Sequence, residues 1–287
     1  RVLIPDDVAP RIVVVGSEAH RSSEPIDWTA LATPRTYTTS QVVSEYGRTK
    51  LVLHTWVAEL TRRLGAIESA RGADLRLIDR DASPEALEEK FHADAEDTLY
   101  ILRETTGIRP TDTFLEIGCG VARVGRVLSP FVKDWIGCDV SPNMIKLANR
   151  RLLGLENTRL QEISGYDLQP IPDNSVDVVY TTVVFMHLEE WDRYTYVLEA
   201  MRVLKPGGRF YCDNANIASP EGWAMFEASR TQFPPQKRPA QISKCSSVPE
   251  FEAFFTHAGF VDWHVKTRPM WVYGWGTKPG AKAGKWR

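Results

Sequence analysis

From Ser83 onward the chain alternates short apolar runs with longer segments whose apolar residues recur at helical spacing. That alternation narrows the fold more than any other feature. Runs suited to strands are TFLEIG (113–118), WIGCDV (135–140), TRLQEIS (158–164), VDVVYTTV (176–183) and RFYCDNA (209–215). Between them, ARVGRVLSP (122–130), SPNMIKLANRRLLG (141–154) and EWDRYTYVLEAMRVL (190–204) read as helices. Parallel strands need a long crossover, and a helix supplies it. The expected fold is therefore α/β: a doubly wound, mostly parallel sheet with helices on both faces. An earlier helix should start with Ser83 as N-cap, Pro84 at the first helical position and acids in the first turn, and run towards Gly107. The tail (260–279) has two aromatic-rich strand runs split by Arg268-Pro269, which suits a terminal hairpin.

Upstream, RIVVVG (11–16) reads as a buried strand, and residues 44–64 carry apolar positions at helical spacing, with Gly65 as a stop. The domain boundary is placed near 70, giving an N-terminal α/β segment (1–70) and a main domain (71–287). Hydrophobic residues make up 43% of the 287, enough for a sizeable core. A formal net charge of −2 leaves no basic excess to hold a phosphate backbone, so no nucleic-acid partner is expected. The apolar runs are far too short for a membrane span, and no signal-peptide pattern opens the chain. Its first residue is Arg1 rather than Met, as expected of a fragment or a processed product. Cys119, Cys138, Cys212 and Cys245 show neither C-x-x-C nor zinc spacing, so reduced thiols, no metal site and a cytoplasmic location are expected.

The chemistry concentrates in TFLEIGCGVARVG (113–125), where a buried strand runs into a glycine-rich turn and a helix start. Glycine has no Cβ, so a ligand can touch the main chain there. Glu116 stands just before Gly118, Cys119 and Gly120. An acid at that place repels a pyrophosphate but suits a ligand carrying an amino group and a sulfonium. Asp139 ends the next strand, about twenty residues on, where an acid accepts hydrogen bonds from ribose hydroxyls. VLKPGGRFY (203–211) adds a helix end, a Pro-Gly-Gly turn and a strand.

Together these residues resemble the class I S-adenosylmethionine-dependent methyltransferases, of the small-molecule, type 11-like kind, over roughly residues 85–275. The family's acid-x-Gly-x-Gly-x-Gly pattern falls on Glu116, Gly118 and Gly120, with Ala122 in place of the third glycine. The resemblance implies a Rossmann-like, seven-stranded sheet whose last strand is antiparallel. It implies S-adenosylmethionine as cofactor and S-adenosylhomocysteine as product. Asp139 would take the ribose, with Val140 and Met144 flanking the adenine. Cys119 and Thr181 complete the expected contacts. Many relatives carry an adenine-binding acid after the third strand. Here that loop reads SGYDLQPIPDNS (164–175), with Gly165 or Tyr166 at the expected place and Asp167 or a backbone carbonyl as the alternative.

A sulfonium methyl group is already electrophilic, so such a protein must align an acceptor and exclude water, and needs a base only if the acceptor must lose a proton. His187, just after the fourth strand, is the one candidate base, and a turn or pocket-wall role is its alternative. Glu189 and Glu190 read as a solvated helix start, and Asp213, at the end of the fifth strand, as another pocket candidate or a structural turn acid. Segment 214–250, with Trp223, Phe226 and Phe233, reads either as a helix packing its aromatics on the sheet or as a lid over a small apolar acceptor, closed also by Trp271 and Tyr273.

A second resemblance covers about residues 10–64. Ser17, Tyr46 and Lys50, in RIVVVGSEAHR and SEYGRTKLVLHTWVAELTRRL, are similar to the Ser-Tyr-Lys set of the short-chain dehydrogenases/reductases, and most like the retinol-dehydrogenase-like members. The glycine-rich nucleotide turn that family places upstream has no counterpart here. The segment is therefore expected to be a truncated remnant or fused fragment without dehydrogenase activity, acting as a packing or lid element. The rivals to a methyltransferase are a bifunctional reductase–methyltransferase with an incomplete reductase half, and a non-catalytic cofactor-binding scaffold.

Overall fold

The structure is a computed structural model, which describes residues 84–238 and 242–280. The expected strand at 11–16, the helix at 44–64, the Ser17–Tyr46–Lys50 set, the boundary near 70 and the Ser83 cap lie outside the described residues.

Helix α1 (Pro84–Thr105) runs unbroken. It is followed by β1 (Thr113–Ile117), α2 (Arg123–Leu128), β2 (Asp134–Asp139), α3 (Pro142–Arg151), β3 (Thr158–Glu162) and β4 (Val176–Thr181). Then come α4 (Glu190–Val203), β5 (Leu204–Ala215), α5 (Pro220–Gln232), α6 (Val248–Ala258), β6 (Val261–Arg268) and β7 (Trp271–Thr277). The seven strands lie in the order β3-β2-β1-β4-β5-β7-β6. Strands β1 to β5 pair in parallel, and β7 runs antiparallel to both β5 and β6. This is the doubly wound Rossmann-like sheet expected. The chain order reverses direction at β1, between β2 and β4, which is where open α/β sheets leave a crevice for ligands.

Side chains alternate across the strands, so each strand contributes to two cores. Leu115, Ile117, Val179, Phe210 and Cys212 face α4 and α6, whose Val197, Ala200, Phe251 and Phe255 are buried against them. Phe114, Trp135, Val178, Tyr180 and Tyr211 face the other way, against Ala95, Leu99 and Leu102 of α1 and Val124 and Leu128 of α2. The α1 stripe begins one turn earlier with Phe91, which packs on Val121 of the glycine turn and on Met144. At the edge remote from that turn, buried Asp112 pairs with Arg209, tying the approach to β1 to β5.

Two local readings need correction. The Lys205–Gly208 stretch is not a turn ahead of a strand but an irregularity within β5. Val176 pairs with Leu204 and Val178 with Arg209, and Gly207 takes φ 80° to absorb the extra residues. The α5 aromatics do not pack on the sheet as a set: Trp223 is 53% exposed, with its ring 5.3 Å from that of half-buried Phe226.

Candidate active site

The glycine turn leaves β1 at its C-terminal end. Gly118 (φ 71°), Gly120 (φ 52°) and Ala122 (φ 58°) are all left-handed, and the N–H groups of Gly118 and Cys119 both donate to the Cys138 carbonyl, at 2.8 and 2.9 Å. A Cβ on Gly118 would lie 2.3 Å from Val184 Cγ2, so the turn after β4 packs directly on this glycine. A Cβ on Gly120 would meet nothing within 4 Å. The first glycine is needed by the fold, whereas the second leaves open space against bare backbone.

Asp139 ends β2 beside that space. Its Oδ2 accepts the Gly120 N–H at 2.8 Å and its Oδ1 the Ser141 N–H at 2.8 Å. Each carboxylate oxygen has a second lone pair, so the acid shapes the loop and keeps acceptor capacity for two hydroxyls. Burial raises its pKa, while the N–H groups of Ser141, Gly120 and Val140 pull it down. Ser141 caps α3 by accepting the Met144 N–H, which sets half-buried Val140 and buried Met144 next to Asp139.

Glu116 is buried on the α1 side of the sheet. Its neighbour in register on β4 is Tyr180, whose hydroxyl donates to Oε2 at 2.6 Å. That hydroxyl in turn accepts the Trp135 indole N–H at 2.9 Å. The indole fits because Gly137 and Gly125 present no side chain: a Cβ on either would lie 2.2 or 2.4 Å from its ring. Burial pushes the Glu116 carboxyl up to about 7, against the downward pull of the Tyr180 hydrogen bond and the Arg123 charge. An acid so placed favours a cationic ligand that would hold it ionised. Burial also pushes the Cys138 thiol up to about 12 and the Cys119 thiol well above its ordinary value, so neither is a thiolate nucleophile near neutrality.

The turn after β4 closes the other side. Thr181 is fully buried and its hydroxyl makes no hydrogen bond. Val183, a β-branched residue, is held at φ 62°, and its N–H donates to Asp213 Oδ1 at 2.8 Å. Strain of this kind persists only where the surroundings impose it, and it gathers at functional sites. Asp213 is itself buried. Burial pushes it up to about 6, opposed by the Val183 N–H, Arg268, the Tyr211 hydroxyl and Arg123. It acts as a buried structural turn acid, fixing the backbone of the turn after β4.

His187 is exposed at the end of the 3-10 helix Phe185–His187, and its N–H donates to the Val184 carbonyl at 2.9 Å. Buried Arg193 clamps this helix by donating to Phe185 O at 2.8 Å while pairing with Glu250 at 2.8 Å. The Lys244 N–H donates to Met186 O at 2.7 Å. In the loop after β3, Tyr166 is 56% exposed, and Asp167 accepts the Ser164 hydroxyl at 2.8 Å, so this acid is partly engaged in its own turn. The loop joins the site through Ile163, whose N–H donates to Asp139 O at 3.0 Å.

The structure thus gathers Glu116, Gly118, Cys119, Gly120, Asp139, Val140 and Met144 around one turn. Thr181 ends β4 beside it, His187 ends the exposed 3-10 helix that follows, and Tyr166 and Asp167 lie on the loop after β3. Sequence reasoning missed Arg123, Trp135 and Tyr180, because each depends on strand neighbours that no local pattern names. Among the described residues no cluster of His, Cys, Asp or Glu could hold a metal ion, and no helix is long and apolar enough to cross a membrane.

Comparison with known proteins agrees with this geometry. Residues 115–212 match the family model described as a methyltransferase domain. The uncharacterized methyltransferase YcgJ of Bacillus subtilis is 34% identical over 125 residues, covering 43% of this chain and 48% of that protein. Phosphoethanolamine N-methyltransferase 3 of Arabidopsis thaliana is 29% identical over 119 residues, covering 40% of this chain and 24% of the relative. The chain thus spans about half or less of the length of these curated relatives. The crystal structure of YcgJ superposes with a TM-score of 0.52 at 20% identity, covering 65% of this chain and all of that one, a likeness of fold. Residues 115–212 thus match a methyltransferase domain, on a sheet that shares its fold with YcgJ.

Proposed function

We propose that this protein transfers the methyl group of S-adenosylmethionine to a small-molecule acceptor with an apolar or aromatic body. The observation that carries the reading is the open backbone at Gly120, flanked by two buried acids with different tasks. Asp139, with one lone pair left on each oxygen, suits the two ribose hydroxyls. Glu116 suits the ammonium group, and Val140 and Met144 suit the adenine. Tyr166 and Asp167, on the loop after β3, are the residues offered for the adenine amine.

When bound, the cofactor supplies an electrophilic methyl on a sulfonium, so this chain need form no covalent intermediate. Its residues bind, orient and exclude water. The Asp213-held turn at Val183 fixes the backbone between the glycine turn and His187. His187 would take the acceptor's proton if the acceptor is a hydroxyl or an acidic carbon, and otherwise forms part of the wall. Trp271 and Tyr273 support an aromatic lining, since Trp271 pairs with Ala215 at the same sheet edge and Tyr273 with Asp213. The phosphoethanolamine methyltransferase named above acts on a small molecule, which agrees with a small acceptor; the apolar body rests on the aromatic residues alone.

The test is calorimetry with S-adenosylhomocysteine, followed by transfer of labelled methyl to pools of small molecules. Asp139→Ala should weaken product binding by about 1.5–3 kcal/mol, the range for hydrogen bonds involving a charged group. Unchanged affinity in that variant would remove the assignment.

A further inference from the structure

Strand β6 is antiparallel to β7, and β7 to β5, so β6 runs with β5 and its last residue, Arg268, lies at the carboxyl edge of the sheet. The glycine turn leaves from that edge, and open α/β sheets take their ligands there. In register, Arg268 stands opposite Trp271, and Trp271 opposite Ala215 at the end of β5. The half-buried guanidinium leans back over the Trp271 ring, 5.8 Å from its centroid. Its charge is felt by Asp213 and Tyr211 of β5, two strands away.

Nothing on the protein answers this cation. Its Nε is buried without a hydrogen-bond partner, and among the described residues no carboxylate lies within ion-pair distance. Asp213 is occupied elsewhere, by the Val183 N–H at 2.8 Å and the Tyr211 hydroxyl at 3.3 Å. Glu221 accepts the Met270 N–H at 3.4 Å. The preceding side chains on the same side of β6 are His264 and Lys266, with Lys266 lying over Trp275 at 5.4 Å, so the local charge is positive. A guanidinium stacked on an indole keeps its terminal N–H groups for an oxyanion. Neighbouring strands lie about 4.8 Å apart, so this head stands roughly 10–15 Å from the end of β1. A molecule that meets a cofactor at the glycine turn and also reaches Arg268 is small but elongated.

We propose that Arg268 selects the methyl acceptor, by holding an oxyanion (carboxylate or phosphate) at the end remote from the atom that is methylated, with Trp271 and Tyr273 against the body between. This rests on the methyltransferase reading above and adds a charge to the acceptor class.

The test follows labelled methyl from S-adenosylmethionine, on the full chain, into three matched pools. The first holds hydroxy-, amino- and mercapto-substituted aryl carboxylates, the second the same compounds as primary amides, and the third the corresponding aryl phosphates. The parent should favour one oxyanion pool over the amides by about 10- to 100-fold in kcat/KM, as for a charge-assisted hydrogen bond, and the favoured pool identifies the oxyanion. Arg268→Met keeps the stem over Trp271 and removes the charge. It should erase that preference, mainly through KM, and leave the amides and the calorimetric affinity for S-adenosylhomocysteine near parental values. Arg268→Lys should recover part of the preference, as a point charge without the fork. Equal losses on anions and amides would make Arg268 a prop for Trp271 and Asp213 and overturn the proposal. A parent indifferent to the anion would overturn it too, as would transfer to no pool by a chain that binds S-adenosylhomocysteine. A parent that does not bind S-adenosylhomocysteine would instead sink the cofactor reading, and this proposal with it.

Discussion

Tyr180 donates its phenolic hydrogen to the Glu116 carboxylate over 2.6 Å, between neighbouring strands of the sheet. That bond lowers a pKa which burial has pushed up to about 7. Binding an ammonium requires the ionised acid, so affinity for S-adenosylhomocysteine should fall as pH drops through about 7. In Tyr180→Phe the lowering influence is gone, and the midpoint of that fall should move to higher pH. The variant also strands the Trp135 N–H, at a cost of about 1–3 kcal/mol in urea denaturation. A pH profile of affinity identical to the parent's would rule out coupling between the two residues.

The two glycines of the turn should respond differently to alanine. Gly118→Ala places a methyl 2.3 Å from Val184 and keeps a left-handed φ. It should lower thermal stability by about 1–3 kcal/mol for overpacking, with backbone strain in addition. Gly120→Ala carries only the strain, roughly 1–2 kcal/mol, because its methyl enters open space. Its effect should appear instead as weakened S-adenosylhomocysteine binding. Full affinity in Gly120→Ala would show that no ligand approaches that backbone.

Asp213 offers a linkage test. Its folded pKa is raised from the ordinary 3.8 to about 6, so the folded protein holds the proton more tightly than the unfolded chain. Its contribution therefore becomes less favourable as pH rises from about 4 to about 6, and the penalty, about 3 kcal/mol at most, is fully present above that window. Asp213→Asn keeps an oxygen for the Val183 N–H without a charge to bury. It should flatten this part of the stability–pH curve, whereas Asp213→Ala leaves that N–H without its acceptor and destabilises at every pH. Superimposable curves for parent and Asp213→Asn would contradict the burial argument.

His187 separates two kinds of acceptor. With a hydroxyl or acidic carbon, His187→Ala and His187→Gln should both lower kcat by about 10²–10⁴-fold while cofactor affinity stays nearly constant. With an amine that binds neutral, both should retain kcat. Parental turnover in both variants on a proton-bearing acceptor would make His187 a wall residue.

Much of the fold and part of the site are legible in the sequence because their causes are local. Period-two and helical spacings mark the seven strands and helices α1 to α4, and left-handed turns call for glycine at 118 and 120, whereas α6 is not picked out. Asp139 follows from its position at a strand end. Tyr180 is different: it matters only because β4, rather than β3, lies beside β1 and pairs it with Glu116. Arg123 likewise gains its meaning from Thr98 and Thr182, distant in sequence. Lys205–Gly208 resembles a turn because proline and glycine usually make one, and register against β4 decides otherwise.

The indole of Trp135, enclosed by Gly125 and Gly137, ties three positions into one unit of descent. The three atoms nearest a Cβ at Gly125 all belong to the indole, whereas a Cβ at Gly137 would also meet Cys119 Sγ at 2.9 Å. Replacing Trp135 by leucine hollows the same space, and an alanine at Gly125 that was harmful before then becomes a repair. The order of changes decides which paths are open, and effects measured one at a time will not add. Every path that discards the indole also gives up the N–H donated to Tyr180, so a lineage keeping the Glu116 relay should keep both glycines.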